Sequence, residues 1–122
     1  VFSVVLRRGY GLGAMALTAG HFHAPVAIAA WPSGEFGPMG IEGSVRLGFR
    51  KELEAAAPEA REALFQKLVA EAIAKGQALN MASHLEIDDV IDPADTRDWL
   101  LRGLNSVAGR PLPPRRGFVD AW

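Results

Sequence analysis

The sequence predicts a mixed α/β fold in which strands and helices alternate along one chain of 122 residues. Two apolar runs carry the strand half of that reading. Val1-Phe2-Ser3-Val4-Val5-Leu6 is rich in β-branched residues, and Val26 to Trp31 is apolar throughout. Helical stripes carry the other half: Ile41, Val45, Phe49 and Leu53 recur every fourth residue, as do Leu64, Leu68 and Ala72.

Taken in order, the first strand covers Val1 to Leu6. Arg7-Arg8 and a glycine-dense turn, Gly9-Tyr10-Gly11-Leu12-Gly13-Ala14, lead into a short helix, Ala14 to Ala19, that ends near Gly20. Val26 to Trp31 reads as a strand buried on both faces, stopped by Pro32-Ser33-Gly34. A third strand, Glu35 to Met39, contains Pro38 and is placed at an edge or bulge. One helix follows from Gly40 to about Ala56. Pro58-Glu59 opens another, with Pro in the first turn and acids near its positive end, and Gly76 or Asn80 ends or bends it. Asp88 to Asp92 reads as a short strand. Asp92-Pro93-Ala94-Asp95 then caps a last helix, Pro93 to Val107, that buries Trp99, Leu100 and Leu104. The order is β-α-β-β-α-α-β-α, a folded piece over 1–108 with a Pro- and Arg-rich tail over 109–122. A strand at residue 1, with no Met or leader before it, reads as a piece of a longer chain.

Composition narrows the function classes. A net charge of −1 gives no electrostatic reason to expect nucleic acid or an anionic membrane as partner. Cysteine is absent, so disulfides and thiolate metal sites are excluded. No apolar run approaches the roughly 20 residues that span a bilayer.

The glycine turn is the feature most open to chemistry. A turn feeding a helix start leaves backbone N–H groups unpaired, able to hold a phosphate, a carboxylate or a developing oxyanion. Gly9-x-Gly11-x-x-Ala14 fits the relaxed dinucleotide fingerprint, with Glu35 as a ribose acid. Arg7-Arg8 and the short helix count against that fit. His21 and His23 lie on one side of an extended segment, although packed loop histidines are the plainer account. Glu86, Asp88, Asp89, Asp92 and Asp95 lack the pattern of a calcium loop, and capping explains Asp92 and Asp95. Arg7, Arg8, Arg50, Lys51, Arg110, Arg115 and Arg116 read as a solvated basic face that could meet phosphate. Backbone amides are therefore the best carriers of any chemistry.

Taken together, several segments resemble the C-terminal half of carboxyltransferase subunits of biotin-dependent acyl-CoA carboxylases, of the acetyl-/propionyl-CoA type. They are Leu6 to Met15, Ala30-Trp31-Pro32-Ser33-Gly34-Glu35, Met39 to Val45, Arg50-Lys51-Glu52-Leu53, and Ile87 to Arg97, in matching order over about residues 1–110. The resemblance implies a crotonase-like β-β-α superhelix, of which this chain is the C-terminal part. It implies an enzyme that moves CO₂ from carboxybiotin to the α-carbon of an acyl-CoA, with this piece inactive alone. By resemblance, the amides of Leu12 and Gly13 form the biotin-side oxyanion hole, and Gly9, Tyr10, Gly11 and Ala14 shape the substrate site. Leu12 and Ala14 depart from the family pattern, which commonly has a second Gly and an aromatic residue at those places.

The implied partners are acyl-CoA (bound mainly by another domain), the biotin carboxyl carrier and biotin carboxylase components, and further copies in a homo-oligomer. No metal, nucleic acid or membrane is implied. The location would be cytoplasmic, or the mitochondrial matrix for a eukaryotic parent. A non-catalytic oligomerisation module and a dinucleotide-binding segment stand as the alternatives.

Overall fold

The computed structural model describes residues 1–111, so most of the tail (112–122) lies outside the described residues. The strands are β1 Phe2–Val5, β2 Arg8–Tyr10, β3 Ala27–Ala30, β4 Glu35–Gly37 and β5 Asp89–Val90. The helices are α1 Gly11–Leu17, α2 Ile41–Gly48, α3 Arg50–Ala55, α4 Pro58–Lys75, α5 Ala78–Ser83 and α6 Thr96–Val107, with a 3-10 turn at Pro93–Asp95 before α6.

All strand pairs are parallel, and they sort into two sheets. One has the order β1-β3-β5, and the other pairs β2 with β4. Each repeat therefore contributes one strand to each sheet before its helix, which is the β-β-α superhelical pattern the resemblance implies. The third repeat keeps this logic with less regularity: β5 joins the first sheet, while Gln77 bridges to Glu35 at the second.

β3 is the spine. Its alternate residues face two cores, as a strand covered on both sides must. Ile28 and Ala30 meet Phe36, Ala78 and Ile87, whereas Ala29 packs with Ile91 and Trp99. A third core, Ile41, Val45, Leu53, Phe65 and Val69, joins α2, α3 and α4.

Several boundaries differ from the sequence expectation, each for a local reason. The glycine-dense stretch is not one turn, because Arg8–Tyr10 is a strand in register with Glu35–Gly37. α1 accordingly starts at Gly11 and ends at Leu17, ahead of a positive-φ Ala19 and Gly20. The single helix expected over 40–56 divides at Phe49, which is 40% exposed and leaves the apolar stripe. Gly48, a poor helix residue, precedes the bend. The third strand stops before Pro38, and its outer side is covered where Phe36 N–H donates to Gly76 O at 2.8 Å. Leu104 is 53% exposed rather than buried. The residue one turn after Trp99 is Gly103, and a Cβ there would come within 2.5 Å of the Phe2 ring.

Candidate functional site

The site is assembled where β2 ends. Tyr10 has extended φ and ψ (−111° and 136°) and stands as N-cap of α1, so the chain passes from strand to helix within one residue. Gly11 makes that possible. Its φ is +56°, and a Cβ would lie 2.7 Å from the Pro38 carbonyl oxygen. Both the backbone angle and the space thus call for glycine. The Pro38 contact also sets the start of α1 beside the segment that opens α2.

The predicted residues divide into two groups. Gly9 is buried in β2 beside Phe36 and brings Val5 close, with 3.2 Å from a built Cβ to Val5 Cγ1. Tyr10 packs on the α2–α4 core, and Ala14 is 8% exposed. Gly9, Tyr10 and Ala14 are therefore shaping elements. Leu12 and Gly13 are the outward pair: Leu12 is 82% exposed, and a Cβ on Gly13 would meet no atom within 4 Å.

Leu12 and Gly13 lie in the first turn of α1, where N–H groups have no carbonyl one turn back to bond. No side chain caps this helix, and its first turn carries no acidic residue. The first-turn donors and the positive end of the helix dipole thus have no acidic side chain of the first turn beside them. The lower end of α1 is fixed by Thr18, a buried hydroxyl whose proton is shared between Ala14 O (3.1 Å) and Met15 O (3.0 Å). Gly13, Ala14, Leu17 and Thr18 form one wall of a mainly apolar groove of about 610 Å³, with residues Ser3 to Tyr10 as the other.

Other candidates have structural partners. Asp88 Oδ2 accepts the Ile28 amide at 2.8 Å, and Asp92 Oδ1 accepts the Ala94 amide at 2.8 Å. His21 Nδ1 accepts the His23 amide at 3.0 Å, and His23 Nε2 is 3.8 Å from Glu86 Oε2. Among the described residues no three His, Asp or Glu side chains gather as a metal site, and no helix is long and apolar enough to cross a membrane. Sequence reasoning missed β2, the Pro38 contact and Thr18. The recurrence of strand, glycine, helix at Tyr10-Gly11 and Gly37-Pro38 was the available signal for the first.

Residues 1–115 match the family described as carboxyl transferase domain. The chain is 33% identical over 116 residues to a subunit named biotin-dependent acetyl-/propionyl-coenzyme A carboxylase beta6 of Mycobacterium tuberculosis, covering 94% of this chain and 23% of that one. It is 52% identical to a solved single-chain, multi-domain long-chain acyl-CoA carboxylase, with a TM-score of 0.66, covering 81% of this chain and 9% of that one. It superposes with a TM-score of 0.80 and 33% identity on the transcarboxylase 12S structure, described as a hexamer assembly with methylmalonyl-CoA bound, over 95% of this chain and 22% of that one. The chain spans about a fifth of the length of the curated relatives it matches.

Proposed function

The chain belongs to the carboxyl transferase domain family, with the crotonase-like fold of acyl-CoA carboxylase β subunits, and from that premise we propose that it forms the biotin side of a CO₂-transfer site. The observation that carries this reading is the place of Leu12 and Gly13, two exposed residues in the first turn of a helix whose start is uncapped and free of acids.

When CO₂ departs from carboxybiotin, the N1–C bond breaks and negative charge collects on the ureido oxygen. Leu12 and Gly13 donate to that oxygen, each such donor lowering the barrier by about 3–4 kcal/mol. Gly11 sets the direction of the amides. Gly13 presents backbone rather than side chain, so the ligand can approach closely. Ala14 and Thr18 hold the helix against the groove and keep the donors preorganised. The proton from the acyl α-carbon passes to the biotin nitrogen, and the enolate left behind takes up the released CO₂ through a new C–C bond at that carbon, so the chain needs no side-chain base.

The remaining features of the reading concern the parent protein. It acts with a biotin carboxyl carrier and a biotin carboxylase component, as a homo-oligomer in the cytoplasm or mitochondrial matrix, with acyl-CoA bound mainly by another domain.

The test is a Gly13→Pro parent assayed with acyl-CoA and carboxybiotin. Proline deletes the Gly13 N–H, which as a first-turn donor has no helical carbonyl partner to lose, and the expected loss is about 10²–10³-fold in kcat. Full activity would remove Gly13 as a donor. An unmutated parent that assembles normally but turns over no acyl-CoA would instead identify a non-catalytic oligomerisation module. Heat evolved with NAD(P) and abolished by Gly13→Pro would return the turn to dinucleotide binding.

A further inference from the structure

Away from this turn, three guanidinium groups share one cleft at the junction of α2, α3 and α4. Arg46, Arg50 and Arg61 line a space of about 290 Å³ with Leu53 and Glu54. Each arginine is held in place by a different device. Arg46 sits over the Phe65 ring, its Cζ 4.2 Å from the centroid. Arg50 Nε donates to Glu54 Oε1 at 2.8 Å. Arg61 reaches from α4 to donate to the carbonyls of Glu54 (3.4 Å) and Ala56 (3.2 Å) at the end of α3.

The charge does not balance. Arg46 near the end of α2 and Arg50 at the start of α3 bring two like charges to one cleft, and Arg61 adds a third cation. Glu54 supplies one negative charge, leaving an excess of two in a chain whose net charge is −1. Helix capping accounts for Arg61, the i,i+4 pair for Arg50 and the Phe65 ring for Arg46, but none of these contacts neutralises the surplus charge. The contacts also leave donors available. A guanidinium carries five N–H groups in its plane. The Phe65 ring contacts Arg46, Arg50 commits its Nε–H, and Arg61 commits one terminal nitrogen.

We propose that this cleft binds a phosphate group, with Arg46, Arg50 and Arg61 as its ligands and Glu54 as the residue that tempers its affinity. Arginine forks match phosphate oxygens in two-point fashion, and a dianionic phosphate matches the surplus charge where a single carboxylate does not. The site is independent of the carboxyl-transfer reading and lies on different helices.

Calorimetric titration of the full-length protein with inorganic phosphate, ADP and acetate at constant ionic strength tests this. Phosphate is expected to bind with an affinity that Arg46→Gln weakens about tenfold, the weight of one charge-assisted contact. Glu54→Gln should tighten binding, a change that a merely structural role for these residues would not produce. Tighter, Arg46-dependent binding of ADP would identify a nucleotide phosphate as the source, and equal binding would identify free phosphate. Acetate binding as well as phosphate, or phosphate affinity unmoved by both substitutions, overturns the proposal.

Discussion

At the scale of single residues, glycines that look alike in the sequence differ in what surrounds them. Gly76 is buried, and a Cβ there would sit 2.1 Å from the Phe36 carbonyl oxygen, backbone that is already fixed by the Phe36 N–H to Gly76 O bond. Gly13 has open space on the side where its Cβ would lie. The same substitution therefore has opposite signs. Gly76→Ala is expected to destabilise by about 3 kcal/mol through overpacking. Gly13→Ala is expected to stabilise by about 0.5–1 kcal/mol, since glycine inside a helix costs that much relative to alanine. Urea unfolding of the two variants checks both. A destabilised Gly13→Ala would mean that the fold itself needs glycine there, which would weaken Gly13 as evidence for a closely approaching ligand.

At the scale of elements, local signals were legible wherever one segment determined its own shape. Pro58 and Glu59 open α4 as their chemistry requires, and Gly76 follows its last residue. Asp92 accepts from Ala94 N–H and caps the turn that leads to α6, so Asp92→Ala is expected to cost about 1 kcal/mol in thermal unfolding. What stayed hidden depended on partners distant in sequence. β2 is three residues with a glycine at its centre, and it is a strand because Glu35–Gly37 lies in register beside it. Asp88 looked like part of an acidic cluster, yet it latches β3 across 60 residues by accepting the Ile28 amide. The site divided in the same way. Glycine density pointed to the turn, whereas the fit of Gly11 against Pro38, where α1 begins, is a contact no local pattern encodes.

At the scale of the molecule, the parallel topology leaves a consequence for association. Among the described residues β1 stands at the end of its sheet, with β3 on one side. Its other side offers backbone groups for pairing, the condition under which a strand edge recruits another chain. Leu6 (50% exposed) and Leu17 (81%) add apolar surface at the groove beside it. We therefore expect the 122-residue chain to self-associate, with sedimentation velocity showing a weight-average mass that rises with concentration. Leu17→Lys tests the location as well as the fact. Leu17 is largely exposed, so a charge there costs little folding free energy while it opposes docking at the groove. The variant should unfold at an unchanged denaturant midpoint and sediment closer to a monomer. A parent chain that stays monomeric at high concentration would show that the β1 edge and its apolar border are tolerated in water. A Leu17→Lys variant that associates as before would move the contact to another surface.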